Sequence, residues 1–157
     1  MKNRVLYSFD VQVRELNLSE NICYSLRNNS RRIWNRDKIV GKIRSRFPKA
    51  NVREVRLGDL SMQEQVAFAA SCDAFIGPHG QNLQQSIFMP KNATLLEIFP
   101  EGHENWNYQA WTERNSHRYR QFHCRTTNNA TNWRGLNMLC SNETINSILE
   151  GLIEVGF

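Results

Sequence analysis

The sequence predicts an α/β domain with a Rossmann-like parallel sheet flanked by helices, and three observations carry that expectation. Between residues 21 and 99 short apolar runs of β type alternate with helical patterns, as repeated βα units require. The 157 residues fit one domain on the usual prior of about 100–200 residues each. A composition of 40% hydrophobic and 22% charged residues, with 8 glycines and 4 prolines, fits a globular chain and excludes collagen-like and low-complexity classes. No apolar run approaches the ~20 residues of a membrane span.

Taken in order, 21–26 reads as a strand and 27–30 as a turn, with Ser30 placed to N-cap a helix carrying Ile33, Ile39, Val40, Ile43 and Phe47. Pro48 stops that helix. A second strand is expected at 52–57. Ser61, with Glu64 three residues on, is a capping box opening a helix through Val66, Phe68 and Ala69. A third strand at 74–76 runs into a tight turn, Gly77-Pro78-His79-Gly80, then a short helix ending near Met89-Pro90 and a fourth strand at 93–99 with Glu97 toward its end. Beyond Pro100 the pattern allows a helix at 105–115, a strand at 119–124, a polar loop at 126–133 and an amphipathic helix at 143–155. Trp106, Tyr108 and Trp111 are spaced to bury one helix face against the sheet.

Twenty Lys+Arg against fifteen Asp+Glu leave +5, which favours phosphate-bearing partners. No RNA- or DNA-binding motif accompanies that charge, so nucleic acid is not an expected partner. The four cysteines form no Cys-x-x-Cys pair and no zinc-spaced cluster, so no metal site is expected. Cys23 and Cys72 read as small buried hydrophobes, whereas Cys124 and Cys140 flank a polar loop and could pair. Glycosylation sequons at Asn17, Asn28, Asn92, Asn129 and Asn142 hint at a secretory origin. The opening residues point the other way, because Asp10 cuts the apolar stretch short of a signal-peptide core.

Open α/β sheets bind ligands at the carboxyl ends of their strands, where loops and helix N-termini offer free N–H groups to anions. Three candidates lie at such places. Arg27, Arg31 and Arg32 flank the first strand-to-helix turn and suit a diphosphate. His79 and Gly80 occupy the third, where glycine permits close backbone approach and histidine can bond a phosphate or hydroxyl. Glu97, a charge in an apolar strand, suits the two hydroxyls of a ribose. Dinucleotide, P-loop and nucleophile-elbow motifs are all missing, which removes the main support for dehydrogenase, P-loop and hydrolase readings.

Gln63-Glu64-Gln65, the run from Ser71 to Gly80, Ile87-Phe88-Met89-Pro90 and Leu96-Glu97-Ile98-Phe99-Pro100 together resemble the family 61 glycosyltransferases, in order and in spacing. Leu26-Arg27, Ser30-Arg31-Arg32 and Asn35 resemble that family's upstream arginine segment. The resemblance spans roughly 21–124. It implies the C-terminal, donor-binding half of a GT-B enzyme that moves xylose, arabinose or N-acetylglucosamine from a nucleotide sugar such as a UDP-sugar, with inversion and without metal.

On that implication Arg27, Arg31 and Arg32, supported by Asn35, neutralise the diphosphate. His79 and Gly80 approach it, with His79 the one catalytic candidate, and Glu97 holds the ribose. The acceptor is a glycan or glycoprotein hydroxyl and the compartment the ER or Golgi lumen. Residues 1–20 become a remnant or linker to a missing N-terminal domain, so that either a partner chain supplies that domain or this chain is a fragment. Where the family commonly has His-Gly-Ala-Gly-Leu-Thr-Asn, this chain has His79-Gly80-Gln81-Asn82-Leu83-Gln84-Gln85. That departure keeps open an alternative, a non-catalytic nucleotide-binding module derived from such an enzyme.

Overall fold

Continuous burial along three strands places them inside a sheet covered on both faces, since one-sided strands alternate buried and exposed residues. β1 (Asn21–Ser25), β3 (Ala74–Pro78) and β4 (Thr94–Pro100) are buried almost throughout. β2 (Asn51–Val55) and β5 (Arg118–Thr126) flank them, and the two-residue β6 (Met138–Leu139) closes one edge. The order is β2-β1-β3-β4-β5-β6, parallel except for the β5–β6 pair. This computed structural model describes residues 2–13, 20–28 and 30–157. Asn17 of the first sequon and Asn29 of the expected turn lie outside them.

Two helix layers sandwich the sheet. On one face α2 (Arg36–Arg46) and α5 (Asn142–Glu154) press Ile39, Ile43, Ile145 and Ile148 onto Ile22, Ile76 and Leu96. On the other lie α3 (Met62–Ala70), a 3₁₀ segment at Gln81–Phe88 that contributes Leu83, and α4 (Asn107–Arg114), over Phe75 and Leu95. Within the stretch expected as remnant or linker, α1 (Lys2–Ser8) packs through Leu6 on Val66, Ala69 and Phe88.

The capping box at the start of α3 is present: Ser61 Oγ accepts from the Glu64 N–H at 3.3 Å, and the Glu64 carboxylate accepts from the Ser61 N–H at 2.8 Å. The expected N-cap at Ser30 is not. Residues 31–34 instead run beside 136–138, where Ile33 forms a parallel bridge with Met138, Arg31 N–H donates to Leu136 O, Met138 N–H to Arg32 O and Trp34 N–H to Met138 O. Their backbone groups are thus taken by a strand-like ladder, and α2 starts only after Asn35. The aromatic expectation also divides: Tyr108 is buried and Trp111 packs against the same core, but Trp106 precedes the helix and is exposed.

Cys23 and Cys72 are buried as expected but are not free thiols. They form a disulfide that ties β1 to the turn ahead of β3, and Cys124–Cys140 forms a second. Sequence adjacency gives no hint of the first pair, since 49 residues separate its cysteines while the parallel pairing of β1 and β3 brings them together.

Candidate functional site

Strand order reverses between β1 and β3, because the chain leaves β1 for β2 on one side and returns to β3 on the other. At such a switch point the connections diverge and leave a crevice outside the strand ends. Arg27 follows β1 and His79-Gly80 follows β3, so the first two candidate clusters meet there. Gly77 lets the two strands close, as a Cβ on it would come 2.9 Å from the Ser25 Cβ and 3.2 Å from Leu83.

Gly80 sits at φ +149°, and a methyl on its Cα would overlap Arg27 Nη1 and lie 2.9 Å from Arg31 Nη1. Two guanidinium groups therefore converge on bare backbone. Neither has a carboxylate partner among the described residues, and Arg27 Nη1 and Arg31 Nε are buried without any hydrogen bond. Burial pushes the Arg31 guanidinium down to about 10, with Arg27 adding to the effect, and burial also lowers Arg27. Two desolvated cations side by side are costly unless an anion completes them. The Arg31 backbone is itself strained, at φ +55°, a region that few residues other than glycine adopt.

A cleft of about 370 Å³ opens beside Arg31, His79, Gly80, Tyr108 and Trp133. A smaller one of about 170 Å³ lies past Arg27, between Leu26, Arg56, Asp59 and Asn82. Asn82 Nδ2 donates to Ser25 Oγ at 3.2 Å, tying the 3₁₀ segment to the end of β1. The His79 ring stacks on Phe99 with centroids 4.8 Å apart, and Trp133 closes over it at 5.1 Å. Arg31 also lies over the Trp133 ring, at 5.3 Å.

Three candidates fall elsewhere. Arg32 is exposed, stacks on Trp34 at 4.4 Å and lines neither cleft. Asn35 acts one step back: its amide donates to Cys140 O at 2.7 Å and accepts from Cys140 N–H at 3.1 Å, holding the arginine segment against the second disulfide. Glu97 is fully buried and so does not face a ribose; its Oε1 meets His79 Nδ1 at 2.5 Å and its Oε2 accepts from the Tyr119 hydroxyl at 2.7 Å. Burial first, then Glu97, push the Tyr119 phenol well above its ordinary range, so it keeps its proton. Sequence reasoning missed Tyr119 and Trp133 and favoured core packing for Tyr108 over stacking on a base or sugar. Tyr119 pairs with Leu95 in the β4–β5 register and reaches Glu97 two positions on, a relation that nothing local in the sequence displays.

A family model for Glycosyltransferase 61 matches residues 4–96, well over half of the chain. The chain belongs to glycosyltransferase family 61. The matched stretch contains Arg27, Arg31, His79 and Gly80, and stops one residue before Glu97. Among solved structures, the flavodoxin-like domain of a Synechococcus sp. protein superposes with a TM-score of 0.52 at 10% identity, over 87% of this chain and 96% of that one. At that identity the likeness establishes the doubly wound fold alone. No curated protein matches this family 61 chain.

Proposed function

We propose that this family 61 chain holds the diphosphate of a nucleotide-sugar donor between Arg27 and Arg31, against Gly80. The nucleoside then lies toward the smaller cleft and the sugar toward the larger. The observation that carries the reading is the pair of converging, half-buried guanidinium groups with no counter-charge among the described residues. Arginine forks match the oxygens of a diphosphate, and a preorganised cationic pair stabilises the charge that develops as it leaves.

The reaction follows from that placement. An acceptor hydroxyl of a glycan or protein loses its proton, its oxygen attacks the anomeric carbon from the face opposite the diphosphate, and the C–O bond to the β-phosphate breaks. The electron pair departs on the diphosphate, and the sugar, of xylose, arabinose or N-acetylglucosamine type, is transferred with inversion. The two arginines supply the countercharge, so donor binding needs no metal. The acceptor proton passes to a general base contributed by the acceptor-binding half.

Calorimetric titration with UDP and UDP-sugars, in magnesium and in EDTA, tests this. Binding is expected in both, with at least a tenfold loss in Arg31→Ala, the usual scale for a charged hydrogen bond. A folded chain that binds neither UDP nor UDP-sugar overturns the reading. One observation favours a second reading, a nucleotide-binding module without transfer: Gln81 and Asn82 fill positions where the family commonly has small residues, and Asn82 is bonded into the scaffold. Its signature is UDP binding with no turnover of any UDP-sugar.

A further inference from the structure

Glu97 is a charged residue at the centre of a strand whose seven residues are all buried. An apolar residue of similar size would serve stability there at least as well, because buried ion pairs rarely outdo good packing. The carboxylate therefore calls for another explanation, and its partners supply one. One oxygen accepts from Tyr119 O–H at 2.7 Å, and the other lies 2.5 Å from His79 Nδ1. A carboxylate oxygen can only accept, so this pairing favours the His79 tautomer that carries its proton on Nδ1. The other ring nitrogen, Nε2, has no protein partner among the described residues, and His79 lines the larger cleft beside Arg31 and Gly80.

The ring cannot easily turn away. It lies nearly parallel to Phe99, 19° between planes, with Tyr108 at 5.4 Å and Trp133 at 5.1 Å, and the His79 N–H donates to Ile98 O at 2.8 Å. We infer that Tyr119 and Glu97 are positioning residues that fix His79 with its Nδ1 proton inward and aim Nε2 at the diphosphate as a third donor beside Arg27 and Arg31. A proton carried on Nε2 then points at a phosphate oxygen, and the imidazolium charge is balanced from behind by Glu97. This rests on the donor-site reading above, but its core, the committed Nδ1 proton, belongs to the free protein.

The test is ¹⁵N NMR of the histidine rings in the whole chain, alone and during titration with inorganic pyrophosphate and with UDP. In the free chain the His79 signal is expected to show Nδ1 protonated, and pyrophosphate is expected to move the Nε2 resonance. Tyr119→Phe, which keeps the ring and its burial, should weaken pyrophosphate about tenfold in a chain that still folds. Glu97→Gln should weaken it at least as much and release the His79 tautomer. A bare Nδ1 in the wild type overturns the inference, as does pyrophosphate that binds without moving Nε2 or binds Tyr119→Phe undiminished. Failure of the donor-site reading looks different: UDP and pyrophosphate do not bind at all, and the tautomer is unchanged.

Discussion

At the scale of single residues the site is marked by places where stability has been given up. Arg31 combines a left-handed backbone, a nearly buried guanidinium and a neighbouring cation. Left-handed φ on a residue other than glycine costs about 1–3 kcal/mol and persists where function demands it. Arg31→Gly should therefore lose at most about 0.5 kcal/mol, relief of strain and repulsion offsetting the entropy of a new glycine, while UDP affinity falls at least tenfold. Urea unfolding with calorimetry on the same samples checks this, and a loss of 2 kcal/mol or more would show the arginine to be ordinary packing. His117 is a second such place, far from the clefts. Its Nε2–H donates to Met89 O at 3.3 Å while Nδ1 is buried without a partner. Burial first, then Lys2, push it down to about 4. The unfolded chain, titrating near 6.5, takes up this proton before the folded one does. The stability contribution is thus complete above about pH 6.5 and is lost as pH falls toward 4, by up to about 3 kcal/mol. Denaturant midpoints measured between pH 4 and 7 should show the fall, and His117→Gln should flatten it.

At the scale of elements, the two disulfides brace the segments that carry the site. Cys23–Cys72 joins β1 to the turn leading into β3, so it holds together the two strands whose ends carry Arg27 and His79. Cys124–Cys140 joins β5 to the end of β6, where Asn35 anchors the arginine segment. Closing loops with separations of 49 and 16 residues is worth about 4 and about 3 kcal/mol in the chain-entropy picture. A Cys23→Ala/Cys72→Ala double variant should thus unfold at lower urea than Cys124→Ala/Cys140→Ala, and the reverse order would mean native strain outweighs loop closure. Four cysteines paired in two bridges also suit an oxidising compartment.

What was legible in the sequence at this scale follows the range of each interaction. The capping box of α3 is local, since Ser61 and Glu64 are one turn apart, and it reads directly from the chain. The inner strands β1, β3 and β4 read equally well, because burial on both faces writes a continuous apolar run. The start of α2 did not, because Ser30 looks like a cap only until β6, about 105 residues away, takes the backbone of 31–34. Cys23–Cys72 and the Tyr119–Glu97–His79 contacts were hidden for the same reason. Each is made by strand order, and strand order is not a local property of the sequence.

At the scale of the whole molecule, the switch point and the net charge make separate contributions that salt can tell apart. A surplus of +5 spread over the surface attracts any polyanion, and that attraction collapses as salt screens it over a Debye length of about 10 Å at 0.1 M. Arg27 and Arg31 are different, because their guanidinium groups are partly withdrawn from water against Gly80, and buried charges are screened far less. The fold concentrates two cations where the β1 and β3 connections part, while the remaining charge stays diffuse. Raising salt from about 50 to 200 mM should therefore weaken UDP only a few-fold, whereas any residual RNA binding, made of many exposed phosphate contacts, should fall by about 10³ or more. Fluorescence titrations of the same preparation with UDP and with a single-stranded RNA would measure both slopes. Equal steep slopes would place the anion affinity on the surface as a whole, and a shallow slope for UDP alone would place it in the crevice that the strand order creates.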